Sequence, residues 1–121
     1  MNTLVVLNVA HKLLPAQVEQ LNLRFGDKWE LFPVPEDGWT ATRQSDLACE
    51  LVERQVVFAS PVPLLLARLA ASKVRLDPAM AFWGLWIFHN DLRIAKEVPD
   101  GHGGVKVIHT VAPDGWQLIP V

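Results

Sequence analysis

Asn8, His11 and Lys12 follow directly on the apolar run Leu4-Val5-Val6-Leu7. An amide can orient a sugar hydroxyl, an imidazole can move a proton near neutral pH, and an ammonium can hold an anion. A second group, Ala59-Ser60-Pro61, closes another apolar run, Val56-Val57-Phe58. Ser60 lacks the flanking glycines of a nucleophile elbow and reads as the N-cap of a helix with Pro61 in its first turn. Trp39 could stack on a nucleobase or close the core as a lid, and Arg43 adds a charge if its helix starts nearby. The plainer role for Asn8 and His11 is to satisfy the backbone where a strand turns into a helix.

Other chemistries lack their residues. His11, His89, His102 and His109 are scattered, with no cysteine partners and no metal-ligand spacing. There is no GxGxxG and no GxxxxGK[ST], so no dinucleotide or other cofactor is expected. Gly101-His102-Gly103-Gly104 lies between β-type runs and not before a helix, which argues against a phosphate loop. The single cysteine, Cys49, excludes an internal disulfide and sits in a helical apolar pattern as a buried thiol.

The elements that must position these residues are legible as periodicities. Leu4 to Leu7 has no polar alternation and fits a strand buried on both faces. Pro15 is suited to the first position of a helix that carries Val18, Leu21 and Phe25 and stops at Gly26. Residues 29–34 read as a short strand that, because of Pro33, lies near an edge or ends early. After the turn at 35–39, a helix spans 40–54, capped by Thr40 or Thr42, with Leu47, Leu51 and Val52 inward. Residues 56–59 form a third strand, and Ser60-Pro61 opens a helix to about Lys73 through Leu65, Leu66 and Leu69. Three strand–helix units predict an α/β fold, a parallel sheet with three right-handed crossover helices. Beyond residue 80, runs at 82–88, 92–98, 105–111 and 116–119, separated by turn residues, predict an antiparallel C-terminal β extension. Trp83, Leu85 and Ile87 alternate with Gly84, Trp86 and Phe88, so both faces of that strand are apolar; one could pack in a dimer interface.

The chain has 121 residues, half of them apolar, and a net charge of −2. One domain over 1–121 is expected, without a basic surface for duplex nucleic acid. The start has no basic n-region and no run approaches the length of a membrane span, so a cytoplasmic protein without leader or membrane contact is expected. In open α/β sheets ligands bind outside the carboxyl ends of the strands. Neighbouring first and third strands would bring Asn8, Ala10, His11 and Lys12 beside Ala59, Ser60 and Pro61. Two helix N-termini would then offer amide hydrogens and about half a positive charge each to an anion.

Leu7-Asn8-Val9-Ala10-His11, followed by Leu13-Leu14-Pro15-Ala16-Gln17-Val18-Glu19-Gln20-Leu21, resembles the start of small stand-alone CRISPR-associated proteins of type III systems. These are related to the CRISPR-associated Rossmann-fold (CARF) sensor domains. The likeness covers roughly residues 3–75 and is one of pattern and order. It implies a Rossmann-like homodimer that binds cyclic oligoadenylate, most often cyclic tetra-adenylate, across a two-fold axis. Some relatives, the ring nucleases, cut the ring slowly without metal by attack of a ribose 2′-OH on the adjacent phosphate.

By that resemblance His11 and Lys12 would stabilise developing charge, and Asn8 would orient a ribose. Ala10 and Leu14 stand where small hydroxyl residues would be usual, which favours binding over cleavage. The competing expectation is a small protein-interaction module that uses the aromatic C-terminal third and has no nucleotide ligand.

Overall fold

The computed structural model describes residues 2–73 and 84–121. Strand β1 (Thr3–Asn8), in which Val5 and Val6 are wholly buried, lies inside the sheet with a neighbour on each side. An uninterrupted apolar run requires a layer on each side, and both are present. Helix α1 (Pro15–Phe25) puts Leu21 over Val5 and Val57 on one face. Helices α2 (Ala41–Leu51) and α3 (Pro63–Lys73) cover Leu4, Val6, Val56 and Phe58 on the other.

Strands β2 (Trp29–Val34) and β3 (Val56–Phe58) flank β1, and both run parallel to it. β4 (Leu85–His89) adds parallel to β3, and β7 (Gln117–Pro120) adds antiparallel to β4, giving the order β2-β1-β3-β4-β7. β2 is an edge strand, one of the two outcomes that Pro33 left open. β5 (Arg93–Pro99) and β6 (Val105–Val111) form a separate antiparallel hairpin. Phe82 and Trp83, read as the start of the fourth strand, lie outside the described residues. Trp86 and Phe88 face the α1 side, while Leu85 and Ile87 face α2 and α3. The chain leaves β1 for one side of the sheet and later reaches β3 on the other, so the topological switch point lies between these two strands.

Local chemistry sets the helix ends. Leu14 has no hydroxyl to cap α1, and the Gln17 side chain accepts the Leu14 N–H instead, at 3.0 Å. Gly26, with φ +63°, ends that helix in a conformation that favours glycine. Thr40 Oγ1 accepts the Arg43 N–H at 3.1 Å, making Thr40 the cap of α2.

Two expectations need correction. Ser60-Pro61 does not open α3: Leu66 donates to Val62 O, and Pro63 is the first helical residue. Ser-Pro-Val-Pro contains two prolines, and only the second follows a residue free to start a helix, because Ser60 is bound to the end of β1. Cys49 is exposed. Leu47, Ala48 and Leu51 define the buried side of α2, and position 49 lies about 200° around the helix from Leu47.

Candidate functional site

The exits of β1 and β3 are joined directly. Val6 O accepts from the amides of Ala59 and Ser60 at 2.9 and 3.0 Å, and Ser60 Oγ accepts from the Asn8 amide at 2.9 Å. Beside them, on the α1 face of the sheet, is a shallow cleft of about 440 Å³. Its walls are Leu7, Ala10, His11, Lys12, Leu14, Gln17, Ala59 and Trp116. The alternation of a strand explains the membership. Val5 and Leu7 project to the α1 face, as do Val57 and Ala59. Asn8 falls on the opposite parity.

The Asn8 side chain is therefore a brace. Its Nδ2 donates to Pro35 O and Glu36 O, both at 3.2 Å, and its Oδ1 accepts the Ala10 amide at 2.9 Å. This ties the β1–α1 turn to the β2–α2 turn. His11 N–H donates to Asn8 O at 2.9 Å, which completes a tight turn and leaves the exposed imidazole and the Lys12 ammonium at the rim.

Of the residues singled out from sequence, Ala10, His11, Lys12 and Ala59 meet in one cleft. Asn8 and Ser60 form the joint beneath it. Pro61 is exposed next to that joint and does not line the cleft. Trp39 packs on Phe32, ring centroids 5.7 Å apart, against the core of the α2–α3 face, in the position of a lid. Arg43 pairs with Glu50 at 3.3 Å along α2. Neither reaches the cleft.

The anion environment also departs from expectation. The amides of Asn8, Val9, Ala10, His11, Leu14, Ala59 and Ser60 all have protein acceptors. At the start of α3 the Leu65 amide donates to Gln44 Oε1 at 2.9 Å, and no residue of α3 lines the cleft. A negative group here would meet the side chains of Lys12 and His11, with most of the neighbouring amides already taken. Among the described residues no cluster of histidine, cysteine, aspartate and glutamate could hold a metal ion, and no helix is long and apolar enough to cross a membrane.

Sequence reasoning missed Trp116 and Asn90. Trp116, read as the start of the last strand, lies in the turn before β7 and forms a wall of the cleft. Asn90, read as a hairpin turn residue, is buried. It donates from Nδ2 to Ala112 O at 2.6 Å and accepts the Leu92 amide at 3.0 Å, fastening the root of the β5–β6 hairpin. A polar residue between two β runs gives no sign in sequence of a partner 22 residues away. Comparison with known proteins gives no matching family model, no similar curated protein and no similar solved structure.

Proposed function

We propose that the chain binds a cyclic oligoadenylate, cyclic tetra-adenylate foremost, and belongs with the CARF-like accessory proteins of type III CRISPR systems. The observation that carries the reading is the meeting of Ala10, His11, Lys12 and Ala59 in one cleft at the β1/β3 switch point. Open α/β sheets bind nucleotides at this place. The partial likeness of residues 3–75 to that family supplies the ligand class. On this reading the sheet, its three crossover helices and the antiparallel C-terminal strands are a Rossmann-like sensor domain. Two copies hold one ring, in the cytoplasm, and sequester it or slowly open it without metal.

Binding is the larger part of the role. In ring opening the ribose 2′-OH attacks the neighbouring phosphorus, the P–O5′ bond breaks, and a 2′,3′-cyclic phosphate and a 5′-OH result. The enzyme's share is in-line alignment and charge stabilisation. Lys12 can supply charge to the phosphate oxygens and His11 a hydrogen bond. Ala10 and Leu14 bring no hydroxyl to the cleft, and the Asn8 amide group is engaged in the turns. Alignment therefore has fewer groups to draw on than binding has.

A gel shift with labelled cyclic tetra-adenylate, followed by chromatography of the products, tests this reading. A shift at micromolar protein is expected, with slow or no conversion; no shift removes the proposal. A second reading, a protein-interaction module, is favoured by the β5–β6 hairpin, on which Ile94, Val105, Val107 and Val111 are exposed. Recovery of one stable protein partner, with no nucleotide binding, selects it.

A further inference from the structure

We propose that Trp116 is the base-stacking wall of the cleft, so that each cleft receives one nucleotide unit with its base on the indole and its phosphate toward Lys12 and His11. This inference rests on the nucleotide reading and assigns the part of the ligand that each wall recognises.

The lining divides as a nucleotide does. Leu7, Ala10, Leu14, Ala59 and the Trp116 ring are apolar, whereas Lys12 and His11 are polar and exposed; the remaining polar wall, Gln17, is buried and accepts the Leu14 amide. Aromatic side chains accept bases through their faces, and the opening suits a small ligand. Its volume of about 440 Å³ is that of a compact site, so one unit of a ring would occupy one cleft.

Trp116 is also held in place. Phe88 meets it edge-on, with centroids 6.4 Å apart and planes at 86°. The preceding residue must be glycine: a Cβ on Gly115 would lie 2.6 Å from Asn90 Oδ1 and 2.9 Å from Leu92. The Gly115 amide donates to Ala112 O, the carbonyl that Asn90 also holds. Phe88 and the turn restrict the indole to small tilts, so it loses little freedom when a ligand stacks on it.

One polar group there is unmet. The Trp116 indole N–H is buried without a hydrogen-bond partner among the described residues. Buried donors in native structures are nearly always paired, and an orphan calls for an account. A small reorientation of the ring on ligand entry, with a base on its face, would bring its edge to sugar or phosphate oxygens, which accept hydrogen bonds.

The test uses the full chain, calorimetric titration for affinity, tryptophan fluorescence for the stack, and three probes: cyclic tetra-adenylate, AMP, and ribose 5-phosphate, which keeps the anion and lacks the base. Cyclic tetra-adenylate and AMP should quench the wild type. Trp116→Leu should weaken both by about 5- to 150-fold, the range of one lost base stack. Trp116→Phe should keep affinity within about threefold while losing most of the quench. Ribose 5-phosphate should bind weakly and equally to all three proteins. Undiminished AMP binding by Trp116→Leu overturns the assignment, as does an undiminished quench in Trp116→Phe, which also covers the case in which the leucine variant does not fold. If AMP quenches through Trp116 and cyclic tetra-adenylate does not bind, the oligoadenylate reading fails and this one stands. If cyclic tetra-adenylate binds regardless of residue 116, this one fails and the other stands; if no nucleotide binds, both fail.

Discussion

The amide of Asn8 donates to the hydroxyl of Ser60 at 2.9 Å, joining residues 52 apart in sequence. The bond locks the two strand exits into one frame, and the cleft inherits its shape from it. Ser60 is 5% exposed and Asn8 half-buried, so Ser60→Ala leaves a partly enclosed amide without its acceptor. We expect a loss of about 1–3 kcal/mol in urea denaturation. An unchanged midpoint would show that water reaches the joint.

His11 and Lys12 sit at the rim and serve no packing role, so their alanine variants should unfold as the wild type does. Each should weaken cyclic tetra-adenylate about 10-fold or more in a gel shift, the scale of a hydrogen bond to a charged group. Wild-type affinity in both variants would remove them from the site while leaving the fold untouched.

Lys73 closes the end of α2 by donating to Val52 O and Arg54 O at 2.9 and 2.7 Å. Burial pulls its ammonium from 10.5 down to about 8. The unfolded chain then binds the proton more tightly than the folded one, so this group's contribution to stability rises as pH goes from about 8 toward 10.5 and is least favourable below that window. In denaturation at pH 7.5 and pH 10, roughly either side of the folded value, the wild type should gain on Lys73→Met at the higher pH. A constant difference contradicts the shift.

Gly115→Ala should loosen the root of the hairpin, because neither Asn90 Oδ1 nor the Leu92 side chain can yield without breaking the Asn90 contacts. Hydrogen exchange should speed at Leu92 and Ala112, while Val5 and Val57 in the sheet centre keep their protection. Uniform acceleration would mean that root and sheet open together.

Cys49 should react with a thiol reagent in the folded state, to one equivalent and without denaturant. Reaction that waits for unfolding would restore the buried thiol that the helical pattern suggested.

How much of this was legible in the sequence follows from the range of each interaction. The β1 run, Pro15 at a helix start and Pro33 at an edge are local statements about backbone and burial, and the sheet bears them out. For Asn8 the plainer of its two roles, bracing the backbone, is the one its side chain fills, and strand parity bears on it: Leu7 and Asn8 must face opposite ways. Ser60 looked like a cap because its partner, the Asn8 amide, lies across the sheet. Trp116 enters the cleft through a turn held by Asn90, a tertiary arrangement without periodicity. Contacts that cross many residues of chain leave no local trace, and they decide which neighbours of the site belong to it.

The two ends of the main sheet carry a further consequence. β2 presents Glu30 and Pro33 outward, and β7 is four residues long and ends at Pro120. Proline lacks a donor, and charge and brevity discourage strand addition. Two copies would thus not zip into one continuous ten-stranded ladder. Any pairing of copies is then left to flat surfaces, or to β5 and β6, neither of which has a strand on its outer rim among the described residues.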